Sequence, residues 1–113
     1  MEPKRWYRIE ASLAHQGAGR FVEIPIYVFA VDALKAFDRY KFLPGLKKSR
    51  PLDIRPLNQA EVLDLEKMVS EDGLDLEQVK SNWYTANEDY KELLLKRLRT
   101  HYNNEKVPKA IGS

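Results

Sequence analysis

The chain contains no cysteine among its 113 residues. This absence excludes disulfide bonds, thiol nucleophiles and thiolate metal sites. It also fits a reducing compartment, where structural disulfides are rare. Any catalytic or metal chemistry must therefore come from histidine, carboxylate, hydroxyl or amine side chains.

Long hydrophobic runs are also missing. The longest apolar stretch, 24–31, is about eight residues, whereas a membrane-spanning helix needs about 20. The first ten residues, MEPKRWYRIE, contain no apolar segment of the kind found in secretory signals. We therefore expect a cytoplasmic protein that has no membrane partner.

Recognisable catalytic motifs are absent as well. The sequence has no glycine-rich phosphate loop, no helical histidine metal pair and no nucleophile elbow. The two histidines, His15 and His101, are predicted in a hairpin turn and near a helix end, with no spacing that pairs them. The carboxylates of 71–77 lack the alternation of a calcium loop and suit helix ends instead. We predict no enzymatic activity, no cofactor and no metal.

The chain is long enough to form one real hydrophobic core. Residues 1–103 are predicted to form a single α+β domain, in which 1–57 make a β-β-α-β unit and 58–103 are helical. Residues 104–113 are predicted to be a flexible tail.

Period-two alternation predicts strands over 6–13 and 21–29, joined by a glycine-containing turn. Val22, Ile24, Ile26 and Val28 are expected to form the core face of the second strand. Pro25 lacks a backbone N–H, which favours a sheet edge or a bulge at that point. A short third strand over 52–57 is expected beside the first, giving a three-stranded sheet with the first strand in the centre.

Helix signals follow each strand region. Asp32 is a predicted N-cap for a helix that ends near Pro44-Gly45, with Ala33, Leu34, Phe37 and Tyr40 on its inner stripe. Three further helices are predicted over about 59–71, 76–84 and 86–102. Their capping boxes are expected to begin at Asn58, Asp75 and Thr85, and Gly73 is expected to stop the second helix. The inner positions of these three helices are predicted to be Val62, Leu65, Met68, Val69, Leu76, Val79, Trp83, Tyr90, Leu93, Leu94 and Leu98.

Charge is segregated along the chain. Residues 1–57 carry a formal charge of +5, residues 58–89 carry −7 and residues 90–113 carry +4. A basic cluster with nearby aromatics is typical of nucleic-acid binding, because cations neutralise phosphates and rings stack on bases. The predicted nucleic-acid-binding residues are Lys41, Lys47, Lys48, Arg50 and Arg55, with further basic residues at Lys91, Lys96, Arg97 and Arg99 on the last helix. The alternative is a solvated basic surface neutralised by the acidic second helix.

The outer face of the second strand suggests a different class of function. Pro25, Tyr27 and Phe29 are predicted to point away from the core, and exposed aromatic patches mark protein interfaces. The alternative is that the later helices cover this face and make it a second core layer. We expect a small non-catalytic binding or accessory protein that acts through protein-protein interaction or self-association. Nucleic-acid binding through the basic loop and strand is the alternative function.

Overall fold

The computed structural model describes residues 3–14, 21–43 and 53–106. It is an α+β structure in which a β-β-α-β unit is followed by helices, as predicted. The elements are β1 (Arg5–Ala14), β2 (Phe21–Ala30), α1 (Ala33–Tyr40), β3 (Asp53–Pro56), α2 (Gln59–Glu71), α3 (Leu76–Lys80), β4 (Tyr84–Thr85) and α4 (Glu88–Lys106).

The sheet has the order β3-β1-β2-β4, and each neighbouring pair is antiparallel. The predicted position of the third strand beside the first is therefore confirmed. In β1 and β2, Ile9 lies opposite Ile26 and Tyr7 opposite Val28, so these residues share a first face. Arg8 lies opposite Tyr27 on one side and Arg55 on the other, which defines a second face.

The three predicted strands are present, and β4 adds a fourth that the sequence analysis did not predict. Tyr84 pairs with Tyr27, and Thr85 pairs with Ile26. The Thr85 hydroxyl also donates to the carbonyl of Pro25 at 2.8 Å. This strand is two residues long, too short to show alternation, and it lies where the sequence predicted the end of a helix.

The inner stripe of α1 differs from the prediction. Ala36 and Tyr40 are buried, whereas Ala33 is exposed and Leu34 is 67% exposed. The predicted N-cap is confirmed, since the carboxylate of Asp32 accepts from the backbone N–H of Lys35 at 2.8 Å. A helix of two turns has too few positions for its apolar period to fix which side is buried.

The caps of α2 and α3 match the sequence prediction. Asn58 and Glu61 form a capping box, with reciprocal side-chain-to-backbone bonds of 2.9 and 3.0 Å. Asp75 accepts from the backbone N–H of Gln78 at 3.2 Å. Gly73 follows α2 with a φ of 72°, a left-handed conformation that glycine adopts without strain. The buried positions of α2 are Leu65 and Val69, both of which the sequence placed inside.

The beginning of α4 lies later than predicted. Asn87 caps it, because its side chain accepts from the N–H of Tyr90 at 2.8 Å. Thr85, the predicted cap, is instead buried in β4 and accepts from the N–H of Asn87 at 3.2 Å. Tyr90, Leu94 and Leu98 are buried as predicted, but Leu93 is 40% exposed. The helix continues to Lys106, so residues 104–106 are helical.

The core occupies both faces of the sheet. Ile9, Ile26 and Val28 on the first face are fully buried, and Trp6 and Tyr27 on the second face are also buried. Helix α2 lies over the second face, where its Glu61 bonds to Arg55 of β3. None of the helices within the described ranges combines the length and apolarity needed to cross a membrane.

Candidate functional site: a basic groove and an acidic cleft

The predicted nucleic-acid-binding residues are only partly described. Lys47, Lys48 and Arg50 lie outside the described residues. Lys41 is exposed at the end of α1, where its ammonium lies 3.4 Å from a carboxylate oxygen of Asp38 and 5.3 Å from the centre of the Phe37 ring. Its nucleic-acid-binding role stays a prediction.

Arg55 is held by a carboxylate. Its two terminal nitrogens donate to the two oxygens of Glu61 at 3.0 and 2.7 Å, the bidentate geometry of a strong arginine pair. The hydrogen bond from Arg55, together with the backbone N–H of Asn58, lowers the pKa of Glu61 to about 2. A phosphate that approached Arg55 would have to compete with this carboxylate.

The predicted protein-interaction residues lie largely under other groups. Tyr27 is 6% exposed, with its hydroxyl accepting from Arg8 at 3.1 Å and its ring 6.3 Å from that of Tyr84. Phe29 is half-buried between the ring of Trp6 and the ammonium of Lys80. Pro25 is also half-buried. An interaction role for these three residues stays a prediction, and they contribute little exposed aromatic area.

An open cleft of about 450 Å³ lies between the second face and α2. We call it the acidic cleft, because three of its charged side chains are acidic and two are basic. Its lining residues are Arg8, Tyr27, Leu57, Glu61, Asp64, Lys67, Met68 and Glu71. Arg8 is itself paired with Glu10, so its charge is balanced within the fold.

A buried ion pair lies near the end of α2. Lys91, only 6% exposed, places its ammonium 2.7 Å from a carboxylate oxygen of Asp72, which also accepts from the Tyr84 hydroxyl. Burial alone would raise the pKa of Asp72, but the hydrogen bonds from Lys91 and Tyr84 lower it. Burial and the Asp72 carboxylate both raise the pKa of Tyr84. The predicted basic residue Lys91 is therefore part of the structural core.

Two neighbouring cavities of about 260 and 490 Å³ share Arg39 and Ser81 in their walls. We call them together the basic groove, because four basic residues and one acidic residue line them. The smaller cavity is lined by Arg39, Phe42, Leu43, Ser81, Asn82, Trp83 and Arg97, and the larger by Lys4, Phe29, Arg39, Glu77, Lys80 and Ser81.

Arg39 connects the elements that form the groove. Its guanidinium donates to the backbone carbonyls of Phe29 at 2.8 Å, Asn82 at 2.8 Å and Lys80 at 3.3 Å. These bonds connect α1 to the end of β2 and to the segment before β4. All three acceptors are neutral, so the positive charge of Arg39 is not cancelled by them.

Arg97 of α4 adds a second guanidinium to the same wall. Burial, and then the nearby positive charge of Arg97, lower the pKa of Arg39. Within the described ranges, no carboxylate lies at ion-pairing distance from either arginine. Two like charges that face one cavity without a balancing anion favour an anionic ligand there.

Aromatic side chains accompany these cations. Phe42 is 84% exposed at the mouth of the smaller cavity, and the buried Trp83 lines its wall. Phe29 lines the larger cavity beneath Lys80, whose ammonium lies 4.8 Å from its ring centre. The groove thus offers both positive charge and ring surfaces.

Sequence reasoning identified some parts of this groove and missed others. Sequence reasoning named Arg97 as one of the basic residues of the last helix, but it gave Arg39 no functional role. Arg39 and Arg97 are far apart in the chain, and the close approach of their side chains depends on how α1 and α4 fold together. One sequence signal was available, since Phe42 is a large aromatic residue beside the helix-ending Leu43-Pro44.

Among the described residues, no group of three or more His, Asp or Glu side chains is arranged to hold a metal ion. Comparison of the chain with family models, with curated proteins and with solved structures finds no match. The geometry and charge of the groove are therefore the basis for any functional proposal.

Proposed function

We propose that this protein is a nucleic-acid-binding protein and that the basic groove is its binding surface. The observation that carries the proposal is the pair Arg39 and Arg97, which face one cavity without a carboxylate partner among the described residues. Phosphate groups supply the missing negative charge, and their neutralisation releases bound counterions.

The position of the groove in the chain adds support. Phe42 and Leu43 line it and lead directly into 44–50, the sequence that contains Lys47, Lys48 and Arg50. The predicted nucleic-acid-binding residues Lys47, Lys48 and Arg50 therefore follow the groove residues closely in the sequence.

The protein-protein function that the sequence favoured receives less support. It depended on exposed aromatic area at Tyr27 and Phe29, and Tyr27 is almost fully buried. Among the side chains that the structure describes, Phe42 is the aromatic residue with the largest exposed fraction, and it lies beside basic residues. This placement favours a phosphate-bearing ligand over an apolar protein partner.

The test is binding of a labelled generic oligonucleotide, followed by fluorescence anisotropy across a salt series. We expect affinity that falls as salt rises. The double variant Lys4→Ala with Arg97→Ala should bind more weakly and show a salt slope smaller by about two, one for each lost phosphate contact.

The matched control is Lys67→Ala, which removes a basic residue from the acidic cleft. It should leave both the affinity and the salt slope unchanged. Absence of binding at low salt would overturn the proposal, and so would an equal loss of affinity in the control and in the groove variant.

A further inference from the structure

We infer that the basic groove selects single-stranded over duplex nucleic acid, because it seats one unstacked base against Phe42 beside the arginine pair. This inference rests on the proposed function and specifies its ligand. It depends on three observations: the size of the smaller cavity, the exposure of Phe42 and the order of ring surfaces and cations along the groove.

The size of the smaller cavity limits the ligand. Its volume of about 260 Å³ lies just below the ~300–1,000 Å³ of sites that enclose drug-sized molecules. A planar group such as a single base fits this space better than a whole nucleotide cofactor. The larger cavity of about 490 Å³ adjoins it through Arg39 and Ser81, which leaves room for the adjoining sugar and phosphate.

Phe42 has the largest exposed fraction among the exposed large apolar side chains that the structure describes. Its neighbours Tyr40 and Leu43 are buried, but 84% of Phe42 remains accessible. An exposed ring gains free energy by stacking, and every base offers a π face for this contact. The cationic setting of Phe42 selects a ring that is covalently attached to phosphate.

The order of rings and cations along the groove matches the order of bases and phosphates along a single nucleic-acid strand. Phe42 and Arg97 line the smaller cavity, Arg39 lies in the shared wall, and Lys4 and Lys80 line the larger cavity. A base stacked on Phe42 therefore has cations beside it for its own phosphate and further cations for the next one. In a duplex the base faces are covered by their neighbours, so Phe42 could contact a base only after unstacking.

The experiment compares three probes with the wild-type chain. They are a single-stranded oligonucleotide, its duplex with the complementary strand, and inorganic polyphosphate. We expect the single strand to bind about tenfold more tightly than the duplex at the same salt concentration.

The variant Phe42→Ala should lower single-strand affinity about tenfold and leave polyphosphate affinity unchanged. Phe42→Leu keeps an apolar side chain but removes the ring, so it should behave like the alanine variant. Because Phe42 is already exposed, neither variant should lower the melting temperature. An unchanged melting temperature shows that the fold of each variant is intact.

A second measurement, the fluorescence of Trp83, tests whether the base lies in the smaller cavity. Trp6→Phe leaves Trp83 as the only tryptophan, and Trp6 does not line the groove. Single-stranded ligand should then change the fluorescence of Trp83, whereas polyphosphate should change it much less. A signal of equal size with both probes would contradict the stacking of a base at this site.

The outcomes separate the inference from the proposed function. Equal affinity for single strand and duplex, or full affinity of Phe42→Ala for the single strand, overturns the inference while salt-dependent nucleic-acid binding stands. Failure of all three probes at low salt overturns the proposed function itself.

Discussion

The arginines of the acidic cleft and those of the basic groove have different partners. In the cleft region, Arg55 is bonded through both terminal nitrogens to Glu61, and Arg8 is paired with Glu10. In the groove, Arg39 donates to neutral carbonyls, and Arg97 adds a second positive charge nearby. A carboxylate beside an arginine offsets its positive charge, so an arginine without such a partner presents more charge to an anionic ligand.

Helix α2 supplies the three acidic side chains that line the cleft. Glu61, Asp64 and Glu71 recur at helical spacing along its side that lines the cleft. The groove lies instead between α1, α4 and the segment before β4. Glu77, the acidic residue that lines the described groove, pairs with Lys80. The arginines on the α2 side are bonded to carboxylates, whereas the two groove arginines have no carboxylate partner among the described residues.

The largest expected loss of stability comes from breaking the Asp72–Lys91 ion pair. Asp72→Asn leaves the buried ammonium of Lys91 without its closest carboxylate, and breaking such a pair by removal of one partner is strongly destabilising. Because Asp72 itself is partly exposed, we expect a loss of about 2–3 kcal/mol in the free energy of unfolding. Urea denaturation followed by circular dichroism measures this loss.

The control for this variant is Glu88→Gln. Glu88 lies 3.5 Å from the same ammonium, but its side chain is 88% exposed. Its removal should cost less than about 0.5 kcal/mol. If both variants lost the same stability, the pair with Asp72 would not be the structural contact described above.

A smaller effect is expected at the beginning of α2. Asn58→Ala removes the acceptor for the N–H of Glu61, and the loss of an N-cap costs about 1 kcal/mol. Asn58→Ser keeps a capping oxygen and should recover most of the stability. Thermal melts of the two variants measure the difference, and neither variant should change oligonucleotide affinity. A loss of affinity in Asn58→Ala would mean that the acidic cleft takes part in binding.

The smallest expected effect is on the pH dependence of stability. The pKa of Glu61 in the folded chain is about 2, below its ordinary value of 4.5, so the unfolded chain binds more protons between these values. The contribution of Glu61 to stability is therefore present above pH 4.5 and is lost as the pH falls toward 2. Glu61→Gln should flatten this part of the melting temperature profile. An unchanged profile would show that the Arg55–Glu61 pair adds nothing to the stability of the α2 side.

Much of the fold could be predicted because its signals are local. Alternation located β1 and β2, and the pair Asn58 and Glu61 located the beginning of α2 within its own four residues. Features that depend on tertiary packing were not accessible in the same way. Thr85 looked like a cap, but its hydroxyl bonds to the Pro25 carbonyl across a new strand pair.

The candidate site depends on tertiary packing even more than the fold does, so less of it could be predicted from the sequence. Lys91 and Arg97 lie on one helix and look alike in sequence, yet Lys91 is buried against Asp72 while Arg97 lines the groove. Arg55 was predicted to bind nucleic acid, with neutralisation by the acidic second helix as the alternative, and its pair with Glu61 of α2 fits that alternative. Which cations are neutralised is decided by the docking of helices on the sheet, and periodicity does not record that docking.

The most direct test compares Arg97→Ala with Arg55→Ala, with oligonucleotide affinity and melting temperature measured for each. Arg97→Ala should weaken binding about tenfold and leave the melting temperature unchanged, because its guanidinium has no carboxylate partner among the described residues. Arg55→Ala should lower the melting temperature and leave affinity unchanged, because it breaks the pair with Glu61. The reverse pattern, in which Arg55→Ala loses affinity and Arg97→Ala does not, would contradict the assignment of binding to the basic groove.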